Sequence, residues 1–375
     1  AGGEWILQDS FLVFDEIRLN NGHFNSNDQY LETSNFLTET ENPRRLSLGS
    51  STFIFRSGSE NTFRGFTNNL IVDAGTSEII MRNGNAFLGF TQENPINFYH
   101  FTAIGFLNIY APPGQQPNLT FQRLTAQAET LFTKLRADTL VLTPNFLYQI
   151  QQGDTIDIGH LEANTTCADF IMLNSSFPFD TGFLTSENDQ TLSRFIVEDI
   201  HIIGAGTWTA NESTDLGNTD GWIFPDNTER TLFWVGDAGN WSDPNNWSLS
   251  SGGAGGECIP TPNDNVIFDE NSFTTPNATV SNSSRIAFFK ASTAYGYGSI
   301  YFSPDMSNVT IFGLSLLGSG DHEFAPHDFT FPQTIIRSSG IYRFLTDFNA
   351  GLESRLIIRS AEIFTNGFDW TIGEL

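Results

Sequence analysis

Short apolar runs recur along this 375-residue chain at intervals of ~20–25 residues, each broken by Gly, Asn, Asp or Pro. They include EIRLNNGHF (16–24), RRLSLGSSTFIF (44–55), NNLIVDAG (68–75) and SEIIMRNGNAFLGF (77–90). INFYHFTAIGFLNIYA (96–111), TIDIGHLEA (155–163) and SRFIVEDIHIIGAG (193–206) continue the series. Runs this short build strands rather than helices, and their spacing matches the coil of a solenoid. A meandering sandwich would also give many short strands. Hairpin dipeptides are scarce between the runs, however, and Phe, Leu and Ile recur where stacked coils would ladder them. The expected fold is all-β, a right-handed parallel β-helix or solenoid, with tandem β-sandwiches as the alternative. About ten coils in the first 206 residues would make a rod roughly 50 Å long.

Composition supports this reading. Phe numbers 36, roughly twice the usual share, and suits buried strands. FQRLTAQAETLFTKLRADTL (121–140) places Leu124, Ala128, Leu131 and Leu135 on one helical face, yet its Thr and Phe content favours two strands and a turn.

Lys and Arg total 17 against 43 Asp and Glu, a formal charge of −26. That surface repels phosphate backbones and anionic bilayers. No run of ~18 apolar residues could span a membrane. Neither nucleic acid nor membrane insertion is expected. The chain starts AGGEWILQ, already inside a strand-like pattern, and reads as a mature product or a segment of something larger.

Residues 207–272 differ from the rest. Five of the seven Trp lie between Trp208 and Trp247, among Asn, Asp, Gly and Ser, and SSGGAGGE (250–257) is the most Gly-rich stretch. The expected organisation is a first solenoid unit (1–206), a Trp/Gly/Asn-rich junction or cap (207–272) and a second, truncated unit (273–375). IRLNNGHFNSNDQYLETSNF (17–36) laid over LIIRSAEIFTNGFDWTIGEL (356–375) sets apolar on apolar and the Ser/Thr-Asn turn on itself. The offset, 375 − 36, is a repeat period of about 339 residues.

The junction also carries a resemblance. WVGDAGNWSDPNNWSLSSGG followed by CIPTPNDNVIFDENSF resembles a module of giant cell-surface proteins of gliding Bacteroidota, the gliding-motility adhesins of the SprB type. The matching positions are Trp234, Gly236, Gly239 to Asp243, Trp247, Pro262, Asp264, Val266, Phe268 and Asp269, within residues 204–275. The resemblance implies export through the type 9 secretion system, an extracellular cell-surface location, and a role in attachment or gliding. Its implied partners are neighbouring repeats of the same polypeptide and the secretion and gliding machinery; surface glycans and other copies of the chain are further partners it admits. Members often carry a second Cys after the Phe-Asp strand. Here SSRIAFFKA (283–291) has none, so Cys258 lacks a local partner in the family pattern.

Candidate sites sit beside simpler explanations. Trp222, Trp234, Trp241 and Trp247 with Asn240 and Asp243 could form a carbohydrate platform; covering the end of a solenoid is the commoner use of such indoles. Asp215, Asn218, Asp220, Asp237, Asp243, Asp264 and Asp269 lie in acidic turns that admit calcium, the one cofactor considered, although Asp-Gly-Asn is also ordinary turn chemistry. Cys167 and Cys258 allow one disulfide or two free thiols. His23, His100, His160, His201, His322 and His327 follow no zinc pattern.

No GxSxG, P-loop or dinucleotide fingerprint occurs. A lyase would want clustered cations and a glycosidase a set carboxylate pair, and neither is legible. The chain is therefore expected not to be an enzyme. It reads as a structural segment of a long adhesin or surface filament, with a carbohydrate-binding module and a β-helix polysaccharide-active enzyme as alternatives.

Overall fold

The computed structural model describes residues 2–56, 61–82, 86–91, 94–110, 119–177, 179–225, 228–269, 271–272, 274, 279–281, 300–302, 310–311, 314–316, 321–325, 333–337, 340–359 and 361–374. Among them there is no α-helix, only one 3-10 turn, Pro244–Asn246. Segment SSRIAFFKA and His327 lie outside the described residues.

The first part is a parallel β-solenoid. Its early coils each lay down three short strands. One side stacks Glu4–Ile6, Gly22–Asn25, Arg44–Ser47 and Leu70–Asp73; a second stacks Phe11–Leu12, Leu31–Thr33, Thr52–Phe55 and Glu78–Met81. The third runs from Glu16–Arg18 through Asn35–Thr38, Asn61–Phe66 and Ala86–Thr91. The second and third sides belong to ten-stranded sheets, which agrees with the ten coils expected. Every described strand pair is parallel except the one that joins Trp234 to Trp247. Parallel pairing excludes the sandwich, whose sheets are antiparallel.

Farther along, two sides share single long strands: Ile96–Ala103, Leu119–Ala126, Leu135–Leu142 and Thr155–Ala163. The register steps over Tyr99, Gln122, Asp138 and Gly159, which marks the corner. At Gly159 a Cβ would come within 2.5 Å of the Asp138 carbonyl, so only Gly lets these backbones meet. Residues 121–140 are strand rather than helix, as their Thr and Phe content favours, but they hold parts of three strands, Leu119–Ala126, Thr130–Phe132 and Leu135–Leu142, instead of the two expected.

Alternation along each strand sends every second side chain inward. Phe36, Phe53, Phe55, Phe63, Phe90, Phe98, Phe101 and Phe121 are buried together. Their rings meet at 4.6 Å (Phe53–Phe55), 5.5 Å (Phe55–Phe63), 5.7 Å (Phe63–Phe98) and 5.4 Å (Phe98–Phe121). Each such ring, taken out of water, contributes about 1.5–3 kcal/mol. That ladder is what the excess of Phe is for.

Asn serves the corners. Asn42 Nδ2 donates to Asn20 O (3.1 Å), Asn69 Nδ2 to Glu41 O (3.0 Å) and Asn94 Nδ2 to Asn68 Oδ1 (3.2 Å), each binding one coil to the one before it. Arg44 is buried at the same corner, and its guanidinium donates to the carbonyls of Thr38, Asn42, Phe66 and Asn68. Main-chain oxygens that a bend would orphan are thus satisfied.

A second set of sheets takes over after Trp222–Ile223. Its main sheet orders Trp247–Ser248, Thr231–Trp234, Asn265–Phe268, Ile300–Phe302, Asp321–Ala325, Ile341–Phe344 and Glu362–Phe364. Residues 207–272 therefore hold the last strands of one set and the first strands of the next. The turns at 26–29 and 365–368 share geometry. Asn27 and Asp28 take φ of 51° and 59°, and Asn366 and Gly367 take 53° and 88°. The turn closes through Gln29 N to Ser26 O in one and Phe368 N to Thr365 O in the other, both 2.9 Å. Asn27 and Asn366 each donate their amide to the preceding coil, at Leu7 O and Phe344 O, both 2.9 Å.

Candidate functional site at the solenoid joint

The Trp-rich stretch folds into two separate aromatic groups. Trp208, from strand Trp208–Asn211, is buried and meets Trp222 edge-on at 5.3 Å; Trp222 stacks on Phe224 at 6.0 Å and donates its indole N–H to Ile200 O at 3.1 Å. These three rings lie at the end of the first apolar core. The second group is Trp234, Trp241 and Trp247, all buried, with centroids 4.5–6.5 Å apart. Trp234 donates to Asp237 O (2.9 Å) and Trp247 to Trp241 O (2.8 Å).

Burial governs the proposed carbohydrate platform. Of its four indoles only Trp222 is partly exposed, and its ring is sandwiched between Trp208 and Phe224. Asn240 and Asp243 shape turns. Asn240 Oδ1 accepts from Ser242 N (2.9 Å), and Asp243 Oδ1 accepts from Asn245 N (2.9 Å), capping the 3-10 turn. The glycines of the motif follow from the same packing: a Cβ on Gly236 or Gly239 would meet the Asn246 side chain at 2.4–2.6 Å. Asn246 in turn donates to Asn240 O at 2.8 Å. Each of these motif residues has a folding role.

The acidic residues fall in different places, each with a local partner. Asp215 accepts from Gly217 N (2.8 Å), and Asp220 from Gly221 N (2.9 Å). Asn218 bridges Asp199 (2.7 Å) and His201 (3.2 Å). Asp237 accepts from Thr274 through N–H and hydroxyl (3.1 and 2.7 Å), and Asp269 from Asn271 N (3.0 Å). Asp264 is buried and paired with Arg230 at 2.6 Å. Among the described residues, no three His, Cys, Asp or Glu side chains gather as a metal site.

What joins the two sets of sheets is a polar knot. Cys167 and Cys258 form a disulfide (Cα–Cα 4.4 Å), and the next residue, Ile259, donates its N–H to Cys167 O at 3.0 Å. Arg194 is buried beside this bond. It donates to Asp169 O (3.0 Å) within the first solenoid and to Ile259 O (3.2 Å) across the joint, and it lies 4.2 Å from the Phe170 ring. Burial, with a smaller contribution from the nearby Arg230 charge, lowers the Arg194 pKa to about 10. For Arg230 burial acts in the same direction, but the hydrogen bond and charge of Asp264 outweigh it and the net shift is upward. Arg194, Glu212, Arg230, Glu257 and Asp264 line a polar cleft of about 460 Å³ at the joint. Sequence reasoning missed both arginines; a cation beside the apolar run FIVE was the only trace of Arg194.

The fold class is thus that of a parallel β-solenoid. Compared with known protein families, curated proteins and solved structures, the chain matches none.

Proposed function

We propose that the chain is a rigid, rod-like segment of a long extracellular adhesin or surface filament, which carries binding tips away from the cell. The observation that carries this reading is the cross-linked joint. Cys167–Cys258, Arg194 and Ile259 tie one solenoid to the next, which is what a segment that transmits tension needs. Continuous parallel ladders within each solenoid support it too, because pulling on such a rod loads many hydrogen bonds together. So does the shared geometry of the turns at 26–29 and 365–368, which suits a module repeated about every 339 residues along one polypeptide. Secretion to the cell surface and a part in gliding follow from the resemblance of the Trp motif. An in-frame deletion of this segment in the source bacterium, with surface immunolabelling and an attachment assay, tests the proposal. Surface staining and attachment that both depend on the segment are expected; an intracellular antigen, or attachment indifferent to the deletion, sinks it.

A further inference from the structure

On the outer face of the first sheet, side chains from three successive coils stand in hydrogen-bonding sequence. Ser47 Oγ lies 2.9 Å from His23 Nε2, and His23 Nδ1 lies 2.9 Å from the Glu4 carboxylate. Register explains the arrangement. His23 pairs with Glu4 on one side and Arg45 on the other, while Asn25 pairs with Ile6 and Ser47. Glu4, His23 and Arg45 thus form one outward row and Asn25 and Ser47 the next, with Phe24 and Leu46 buried between them.

Counting protons fixes the direction of the relay. The Glu4 carboxylate only accepts, so the neutral imidazole carries its proton on Nδ1 and leaves Nε2 as an acceptor. Arg45 Nε only donates and lies 3.2 Å from Ser47 Oγ. Ser47 therefore accepts from Arg45, and its single hydroxyl proton goes to His23 Nε2. This is a nucleophile, a base and a group that orients the base, in the relation that activates a serine.

We propose that Ser47, His23 and Glu4 form a hydrolytic site for small acyl esters of neutral, hydroxyl-rich alcohols such as acylated saccharides. The site is independent of the rod reading. Glu4, His23 and Arg45 line a groove of about 780 Å³ together with Asn21, Asn42 and Ile71. Ser47 stands one row beyond that lining, so the alcohol part of an ester would lie in the groove and its carbonyl would reach over the edge to Ser47. Carboxamides and a guanidinium suit hydroxyl groups, and a net charge of −26 disfavours anionic substrates.

The chemistry balances with water as the second reactant. Ser47 Oγ attacks the ester carbonyl carbon, and its proton passes to His23 Nε2. The C–O bond to the alcohol breaks, and His23 returns the proton to the departing oxygen. Water then attacks the acyl-Ser47 bond, gives a proton to His23 and releases the carboxylic acid, and that proton restores the Ser47 hydroxyl. Arg45, whose Nε donates to Ser47 Oγ and whose terminal nitrogen is paired with Asp73 at 3.0 Å, would stand beside the developing oxyanion. Asn25, whose Oδ1 is occupied by Asn27 N at 2.9 Å, has its amide N–H groups to add. Glu4 is a positioning residue. The three lie one coil apart in sequence, which is why no linear motif announces them.

The full chain is incubated with a fluorophosphonate probe and mapped by peptide mass spectrometry, and hydrolysis of p-nitrophenyl acetate is followed in parallel. The expected result is an adduct on Ser47. Turnover should fall by about 10²-fold or more in S47A and H23Q. E4Q should fall similarly, with partial rescue in E4D, while circular dichroism stays unchanged in all four variants. A folded wild-type chain with Ser47 unlabelled, or S47A hydrolysing as fast as wild type, overturns the proposal and reduces the Glu4–His23 and His23–Ser47 hydrogen bonds to fasteners between coils.

Discussion

Tyr148 is a test of how dry the core is. Its ring is fully buried, yet its hydroxyl accepts from Thr143 N (3.0 Å) and lies 2.9 Å from the carbonyls of Ala126 and Thr143. Burial pushes its phenol well above the ordinary value of 10, only partly opposed by the Thr143 hydrogen bond. The sign follows from linkage. The folded state holds this proton more tightly than the unfolded state, so its stabilising contribution is complete below pH 10 and is lost as pH rises further. Spectrophotometric titration of the eight tyrosines should find Tyr148 ionising last and together with unfolding, and Tyr148→Phe should remove that final step. An early, reversible ionisation of all eight would mean that water reaches the core. At this scale the sequence was readable for identity and much less for exposure. The Trp cluster drew attention as a binding surface because indole serves platforms and cores alike. The readable counter-signal was Gly236 and Gly239, both pressed against Asn246. Arg194 and the Ser47–His23–Glu4 cluster depend on which coil lies beside which, and no local pattern encodes that.

At the scale of strands and turns, periodicity made the solenoid legible, since apolar runs at coil spacing have few other uses. The corner inside the strands Ile96–Ala103 to Thr155–Ala163 was not legible, because the register runs through it unchanged and only one pair, such as Tyr99 with Gln122, is skipped within an otherwise continuous strand-forming run. Turns show what stacking requires. Gly49 and Gly75 occupy the same turn in adjacent coils at φ of 53° and 55°, and a Cβ on Gly75 would sit 2.3 Å from Gly49 O. Gly75→Ala combines a left-handed backbone with that clash and should cost roughly 1–3 kcal/mol. Asp28, at φ 59° in the preceding coil, takes the same conformation with a larger residue, and its Oδ1 accepts from Ser50 N at 2.6 Å. Asp28→Gly relieves the backbone but loses that bond, and should cost less than Gly75→Ala. Chemical denaturation of the two variants measures the difference; equal losses would contradict the stacked-turn account.

Across the whole molecule, the chain is two stretches of parallel sheet tied by one covalent bond that spans 91 residues of sequence. Closing a loop of that size restricts the unfolded chain by about 4–5 kcal/mol in the simplest entropy model. Cys258→Ser should therefore lower the unfolding midpoint and make the joint, between strands Trp222–Ile223 and Thr231–Trp234, the first point of proteolytic cutting. A variant as stable and protease-resistant as the parent would remove the disulfide from the mechanical account. The central claim remains the rod, and small-angle X-ray scattering tests it most directly. The ten-stranded sheet and the six parallel strands of the second main sheet, stacked end to end at ~4.8 Å per strand, predict an asymmetric distance distribution with a longest dimension of about 75 Å. A symmetric distribution with a radius of gyration of about 21 Å, that of a compact globule of this length, would contradict it.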